Sequence, residues 1–176
     1  MSIDESIGRL APELVTKLAA VRLAVFDVDG TLTDGRVVYI GEQELQSFCV
    51  YDGQGLVWLR RAGIELAWIT GRGCASTQRR AKELGVAHLH CQSGPKDKVL
   101  AGIQARSGIG PEATLAMGDD VPDLAMAAGA AVFVAPAGAR PEVLAAADLV
   151  TRATAGAGAA RELAEVLLAI RGGSDS

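Results

Sequence analysis

The chain has 176 residues and a formal net charge of −4, with 49% hydrophobic and 22% charged residues. That length and apolar content suit one well-buried core and exclude a disordered chain. The acidic balance and an aromatic content of only 4% argue against nucleic acid, which calls for basic excess and stacking surfaces. Cys49, Cys74 and Cys91 form no CxxC pair, as expected of reduced thiols in a cytoplasmic protein. The start, Met1-Ser2-Ile3-Asp4, lacks the basic-then-apolar order of a secretory signal. No apolar run reaches the roughly 18 residues of a membrane helix.

The N-terminal stretch, 1–20, reads as a helix, and Arg22–Phe26 (RLAVF) as the first strand. Asp27–Gly35 reads as a loop, and Val37–Ile40 with Leu45–Val50 as a hairpin around Gly41-Glu42. Gly53–Ala62 is a predicted helix, Glu65–Ile69 a buried strand, and Ala75–Leu84 a helix stopped by Gly85. A short strand, Val86–Leu89, precedes a helix over Lys96–Arg106 that ends near Gly108. Thr114–Met117 is a strand, about Val121 to Ala128 a helix, and Ala131–Val134 a strand. Pro141–Ala146 is a short helix, Leu149-Val150 an edge strand, Arg161–Arg171 an amphipathic helix, and Gly172–Ser176 a frayed tail.

Strands alternating with helices predict an α/β fold: a doubly wound, Rossmann-like, mainly parallel sheet with helices on both faces. The hairpin over 36–50 becomes a small flap, and 151–176 a C-terminal tail and helix. No repeat and no Pro/Gly/Ser-rich linker divides residues 1–176, so a single domain is expected.

Ligands of such sheets bind beyond the carboxyl ends of the strands. Directly after the first strand stand Asp27 and Asp29, and after Glu65–Ile69 come Thr70, Gly71 and Arg72. Gly118, Asp119, Asp120 and Asp123 follow Thr114–Met117, and Lys98 opens a helix on the same rim. So many carboxylates in one cleft repel one another unless a hard cation lies between them. Mg²⁺ suits that set, since it takes oxygen ligands; zinc suits it less, because His88 and His90, the only histidines, sit at the end of another strand. A carboxylate, a cation, a lysine and a hydroxyl around one point are the parts of phosphoryl transfer. One Asp can attack phosphorus, and a second, two residues on, can protonate the leaving oxygen and then activate water.

Four motifs carry a resemblance: Asp27-Val28-Asp29-Gly30-Thr31 after a hydrophobic strand, Thr70 after a second, a downstream lysine, and Gly118-Asp119-Asp120 with Asp123. In this order they resemble the haloacid-dehalogenase-like phosphatases. A closer similarity spans nearly the whole chain. It includes Asp27–Gly35, Asp52–Gly55, Ile69–Arg72, Glu83–Gly85, Asp97-Lys98, Gly118–Asp120 and Gly158–Glu162. These stretches resemble the 3-deoxy-D-manno-octulosonate 8-phosphate phosphatase group, which includes nonulosonate 9-phosphate phosphatases. The resemblance implies a fold without a cap domain, Mg²⁺ dependence, and a homotetramer in which a neighbouring subunit closes the site.

Carried over by residue, it makes Asp27 the nucleophile and Asp29 the general acid/base. Thr70, Gly71, Arg72 and Lys98 become substrate-binding, with Lys96 as the competitor of Lys98. Asp27, the carbonyl of Asp29, Asp119 and Asp120 become the metal set, with Asp123 in an orienting or helix-capping place. The chain departs from the group at Gln46, where lysine is frequent, at Tyr51, and at Ala155–Gly158. Each departure falls near parts expected to face the sugar or a neighbouring subunit. Two rivals from other classes are a non-catalytic assembly module and a phosphoacceptor receiver domain. Both are disfavoured by the Asp27/Asp29 pair, which neither requires.

Overall fold

The computed structural model describes residues 7–92 and 94–172. The chain runs through α1 (Pro12–Ala19), β1 (Leu23–Phe26), β2 (Val38–Ile40), β3 (Gln43–Leu45) and α2 (Val50–Arg61). It continues through β4 (Glu65–Ile69), α3 (Ala75–Leu84), β5 (His88–His90), α4 (Lys96–Ser107) and β6 (Thr114–Met117). A 3₁₀ turn (Val121–Asp123) leads into α5 (Leu124–Ala127). Then follow β7 (Val132–Ala137), α6 (Pro141–Ala146), β8 (Leu149–Thr154) and α7 (Ala159–Ile170).

Six strands form one parallel sheet in the order β5-β4-β1-β6-β7-β8. The two strands β2 and β3 pair antiparallel as a separate hairpin. Alternation along β1 feeds two cores. Ala24 and Phe26 join Leu56, Leu59, Leu163 and Leu167 from α2 and α7. Leu23 and Val25 join Leu100, Ile103, Met126 and Val143 from α4, α5 and α6. A sheet covered on both faces has no solvated side, which is why β1, β4 after Glu65 and β6 after Thr114 read as unbroken apolar runs. From β1 the chain builds outward first through β4 and β5, then returns through β6, β7 and β8. The reversal leaves a crevice at the carboxyl ends of β1, β4 and β6, the usual ligand position in such sheets.

Several expectations needed revision. Val50, expected to end the hairpin, opens α2, and each hairpin strand is only three residues long. The helix expected near Val121 begins as a 3₁₀ turn. The edge strand β8 reaches Thr154, because its alternating part-exposed side chains mask it as tail. Within the described part the expected N-terminal helix is interrupted by a turn and bend over 8–10 before Pro12–Ala19. Residues 1–6 of the expected helix and 173–176 of the expected frayed tail lie outside the described residues.

The C-terminal segment buttresses the loop after β1. Gly156 donates its N–H to the Thr31 carbonyl at 3.3 Å. Its φ is +61°, and a Cβ there would come within 2.6 Å of the Asp34 amide nitrogen, so the two backbones meet only through a glycine. Asp52 of α2 makes a second tie. Its Oδ1 accepts from the Arg161 amide at 2.8 Å and its Oδ2 from the Gly158 amide at 3.2 Å. A buried carboxylate thus caps the start of α7 from another helix. Replacing Asp52 by Ala is expected to cost about 2 kcal/mol and Asp52→Asn about half that. The measurement is the urea midpoint at unchanged slope; a loss within about 0.5 kcal/mol for Asp52→Ala would remove this tie from the account.

Candidate active site

Asp27 leaves β1 in register with β6: Phe26 lies opposite Met117, and the Asp27 amide donates to the Met117 carbonyl at 3.0 Å. Paired parallel strands therefore deliver Asp27 and Asp119 to one spot. Carboxylate oxygens of Asp27, Asp119 and Asp123 all lie within 4.8 Å of one another. Between two of them sits the Lys96 ammonium, 2.5 Å from Asp27 Oδ1 and 2.5 Å from Asp123 Oδ1. Asp123 spends its other oxygen on the backbone, accepting from the Asp119 amide at 2.9 Å and the Asp120 amide at 3.1 Å. With both oxygens engaged, it fixes the loop and the lysine.

Gly30 explains how the first loop fits. Its φ is +94°, and a Cβ there would lie 2.2 Å from Asp119 Oδ2. Any side chain at position 30 would thus occupy the place of the Asp119 carboxylate. Thr31 Oγ1 donates to Asp119 Oδ1 at 2.8 Å and sets the orientation of that carboxylate.

Asp29 lies on the other side of a cavity of about 170 Å³ that Asp27, Thr70, Gly71, Arg72 and Lys96 also line. Thr70 Oγ1 donates to Asp29 Oδ2 at 3.1 Å, and Gln46 Nε2 donates to Asp29 Oδ1 at 2.8 Å. A Cβ on Gly71 would meet nothing within 4 Å, so that position leaves the mouth open rather than relieving a clash. Arg72 reaches outward to the hairpin, with its Nη2 2.8 Å from Glu44 Oε2. Hydrogen bonds to Tyr39 and Glu44 push its already basic guanidinium higher still. A cavity of about 200 Å³ between β8 and α7, lined by Leu10, Leu149, Leu163 and Val166 among others, gathers no comparable set of acids.

One expected residue is corrected and a second is placed at the rim. Lys98 lies exposed outside the cavity, and Lys96 fills the place expected for it. Positions two apart on a helix face roughly 200° away from each other; Lys96 shares the buried side of α4 with Leu100 and Ile103. That i, i+4, i+7 pattern was present in the sequence. Asp120 lines the cavity rim, yet its side chain is exposed and turns back to accept from the Val121 amide at 2.8 Å. It caps the 3₁₀ turn, while Asp123, three residues on, curls under the loop and joins the acid cluster.

The electrostatics of the cluster call for a cation. Burial above all, then the nearby Asp123, raises the Asp27 carboxyl from 3.8 to about 7. Burial raises Asp119 to about 6, despite the hydrogen bond from Thr31. Burial pushes the Lys96 ammonium down, but Asp27 and Asp123 outweigh it and its net movement is upward. One ammonium does not neutralise three carboxylates, and an all-oxygen donor set suits Mg²⁺. Asp123 is already engaged on both oxygens, which leaves Asp27 and Asp119 as side-chain donors for the ion.

The metal-free folded state holds Asp27 and Asp119 protons that the unfolded chain has released, so its stability falls as pH rises from about 4 to about 7. A divalent ion requires both groups ionised and offsets that loss. Mg²⁺ is expected to raise the melting temperature clearly more at pH 8 than at pH 5.5, and Asp119→Asn is expected to abolish the difference. Equal shifts at both pH values would remove the metal from this cluster.

Residues 92–163 match a family model for haloacid dehalogenase-like hydrolases. The 3-deoxy-D-manno-octulosonate 8-phosphate phosphatase KdsC of Yersinia pestis is 38% identical over 94% of this chain and 89% of its own. The KdsC of Salmonella typhimurium is 35% identical over 99% of this chain and 93% of its own. Among solved structures, the Moraxella catarrhalis phosphatase of that name, in complex with magnesium ion, phosphate ion and KDO, superposes with a TM-score of 0.88. It is 37% identical and covers 91% of this chain and 92% of its own. A Xanthomonas campestris protein gives a TM-score of 0.91 at 42% identity, covering 95% of this chain and 92% of its own. With the acids of β1 and β6 gathered around one lysine and relatives matching end to end, the chain belongs to the 3-deoxy-D-manno-octulosonate 8-phosphate phosphatase family of haloacid dehalogenase-like hydrolases.

Proposed function

We propose that the protein is a Mg²⁺-dependent phosphatase and that its substrate is 3-deoxy-D-manno-octulosonate 8-phosphate. The observation that carries this reading is the division of labour between the two acids of one loop. Asp27 is buried against Lys96 at the floor of the cavity, whereas Asp29 is held by neutral donors at its side. One is placed for in-line attack, the other for proton transfer.

In the first step a carboxylate oxygen of Asp27 forms a bond to phosphorus as the phosphorus–oxygen bond to the sugar breaks. Asp29 gives its proton to the departing sugar oxygen. In the second step water attacks the aspartyl-phosphate, passing a proton to Asp29, and the carboxylate of Asp27 leaves as inorganic phosphate forms. Lys96 donates to the phosphoryl oxygens and the Gly71 amide is open to them, while the single hydroxyl hydrogen of Thr70 stays on Asp29 and its place beside the phosphoryl group is one of contact. Mg²⁺, held by Asp27, Asp119 and the main-chain carbonyl of Asp29, would offset charge on the phosphoryl group. Arg72, at the mouth, is the cation for a substrate carboxylate, in exchange for Glu44. An assembly module would have no use for an oriented Asp29 beside a buried Asp27.

The hairpin supports the assembly part of the reading, a homotetramer whose neighbouring subunit closes each site. Tyr39 is 65% and Ile40 63% exposed, and Val38, Leu45, Val50 and Tyr51 are exposed too. An exposed apolar group of this kind beside a cavity suits burial against a second copy. Three free cysteines accord with a cytoplasmic setting, and no helix among the described residues is long and apolar enough to cross a membrane. Residues 1–176 are read as one domain.

Phosphate release with Mg²⁺ across the octulosonate 8-phosphate, nonulosonate 9-phosphates and hexose phosphates tests the substrate. A preference of at least about 100-fold in kcat/KM for the octulosonate is expected, with Asp27→Asn inactive; preference for another member of the panel replaces the substrate. Lys96→Met is expected to lower kcat/KM by about 100-fold or more, and Lys98→Ala by less than about 2-fold; the reverse order would restore Lys98. Light scattering should give a tetramer that Ile40→Glu dissociates. A monomeric parent chain would sink the assembly.

A further inference from the structure

Gln46 stands one residue beyond β3, outside every motif that marks the site. Its Nε2 donates to Asp29 Oδ1 at 2.8 Å, while Thr70 holds Oδ2. Both oxygens of that carboxyl are therefore fixed, from opposite sides and by different elements. The amide is itself oriented: its Oε1 accepts from Thr77 Oγ1 at 2.5 Å and from Cys74 Sγ at 3.0 Å. Two hydrogen-bond donors on Oε1 leave Nε2 as the atom that faces Asp29; the opposite orientation would set oxygen against carboxylate. Thr77 is fully buried on α3, so the chain of contacts runs from a rigid helix through Gln46 to the reacting edge of the cavity.

We propose that Gln46 is a positioning residue for Asp29, holding its carboxyl in the rotamer from which it reaches the leaving oxygen and the attacking water. This role rests on Asp29 being the proton donor and acceptor of the proposed phosphatase reaction. Without Nε2, the Asp29 side chain keeps one anchor, Thr70, and can rotate about it. Binding of phosphate depends on other groups and is untouched. The loss falls on steps that move a proton. A sugar alkoxide leaves only with a proton, whereas p-nitrophenolate leaves without one. Gln46 therefore matters for the first step in the former case and little in the latter.

The test uses the full chain with Mg²⁺, comparing Gln46→Leu, Gln46→Lys and Thr77→Val with the parent. Gln46→Leu keeps the bulk and removes the donor; Gln46→Lys restores a donor. Gln46→Leu is expected to lower kcat for the sugar phosphate by about 30-fold or more with KM within about 3-fold. In rapid-quench single turnovers its phosphoenzyme formation from p-nitrophenyl phosphate should stay within about 3-fold of the parent. Gln46→Lys should recover most of kcat, and Thr77→Val should show the same pattern more weakly. Circular dichroism and melting temperature identify a variant that fails to fold; Thr77→Val, which leaves Gln46 in place, then decides by the same ratio. An unchanged kcat in Gln46→Leu, or equal losses for both leaving groups, overturns the role while leaving the phosphatase reading intact. A parent chain that hydrolyses neither substrate overturns both.

Discussion

The whole arrangement depends on one ammonium group placed among acids. Lys96 is drawn into a buried corner by Asp27 and Asp123, at a desolvation cost that only close, hydrogen-bonded partners offset. The lysine settles Asp123, whose remaining oxygen then ties down the amides of Asp119 and Asp120. Those amides shape the loop that presents the Asp119 carboxylate to Asp27. Burial, with the neighbouring acids, holds the carboxyls of Asp27 and Asp119 above the usual carboxylate range, and a cation would draw both back down. Metal affinity is built into the fold by leaving the charge unbalanced, rather than by adding a dedicated ligand.

The strands that carry this corner were legible because they are buried on both faces. Continuous apolar runs at Leu23–Phe26, Leu66–Ile69 and Leu115–Met117 are too short for a helix. The polar residues directly after them were therefore legible too. What escaped were choices between neighbours. Lys96 and Lys98 differ only in helical phase, and the pairing of Asp97 with Lys98 in the motif drew attention to the wrong side of α4. Asp120 and Asp123 are both plausible acids until the 3₁₀ turn is seen to point one at a backbone amide and the other under the loop. Gln46 stood out only as a departure from a frequent lysine; its tie to Asp29 gave no local signal, since its partners Thr77 and Cys74 lie 31 and 28 residues away.

The hairpin extends this logic to the rim. A two-stranded ribbon of three residues per strand is marginal on its own. It is fastened to the site at two points. Glu44 holds Arg72 at the cavity mouth, and Gln46 holds Asp29 at its side. The hydrogen bonds of Tyr39, Glu44 and Gln46 thus run inward, while Val38, Ile40 and Leu45 lie exposed on the other face of the ribbon.

These two faces are coupled by the stiffness of the ribbon. Covering Val38 and Ile40 with a second copy would remove apolar area from water and stabilise the strand pairing. The same pairing fixes where β3 ends, and therefore where Gln46 stands relative to Asp29. Order in the flap and order at the Asp29 carboxyl would then be linked through Gln46. Arg72 adds the complementary link, because a substrate carboxylate at its remaining N–H groups would compete with Glu44 for its charge. The flap would thus respond to a neighbour on its outer face and to a charged ligand on its inner face. Charge at position 46 bears on this coupling. A lysine there would hold Asp29 by an ion pair, whereas glutamine holds it through a neutral amide whose direction is set by Thr77 and Cys74. In this chain the orientation of the acid depends on geometry transmitted from α3, not on a charge that would act from a range of positions.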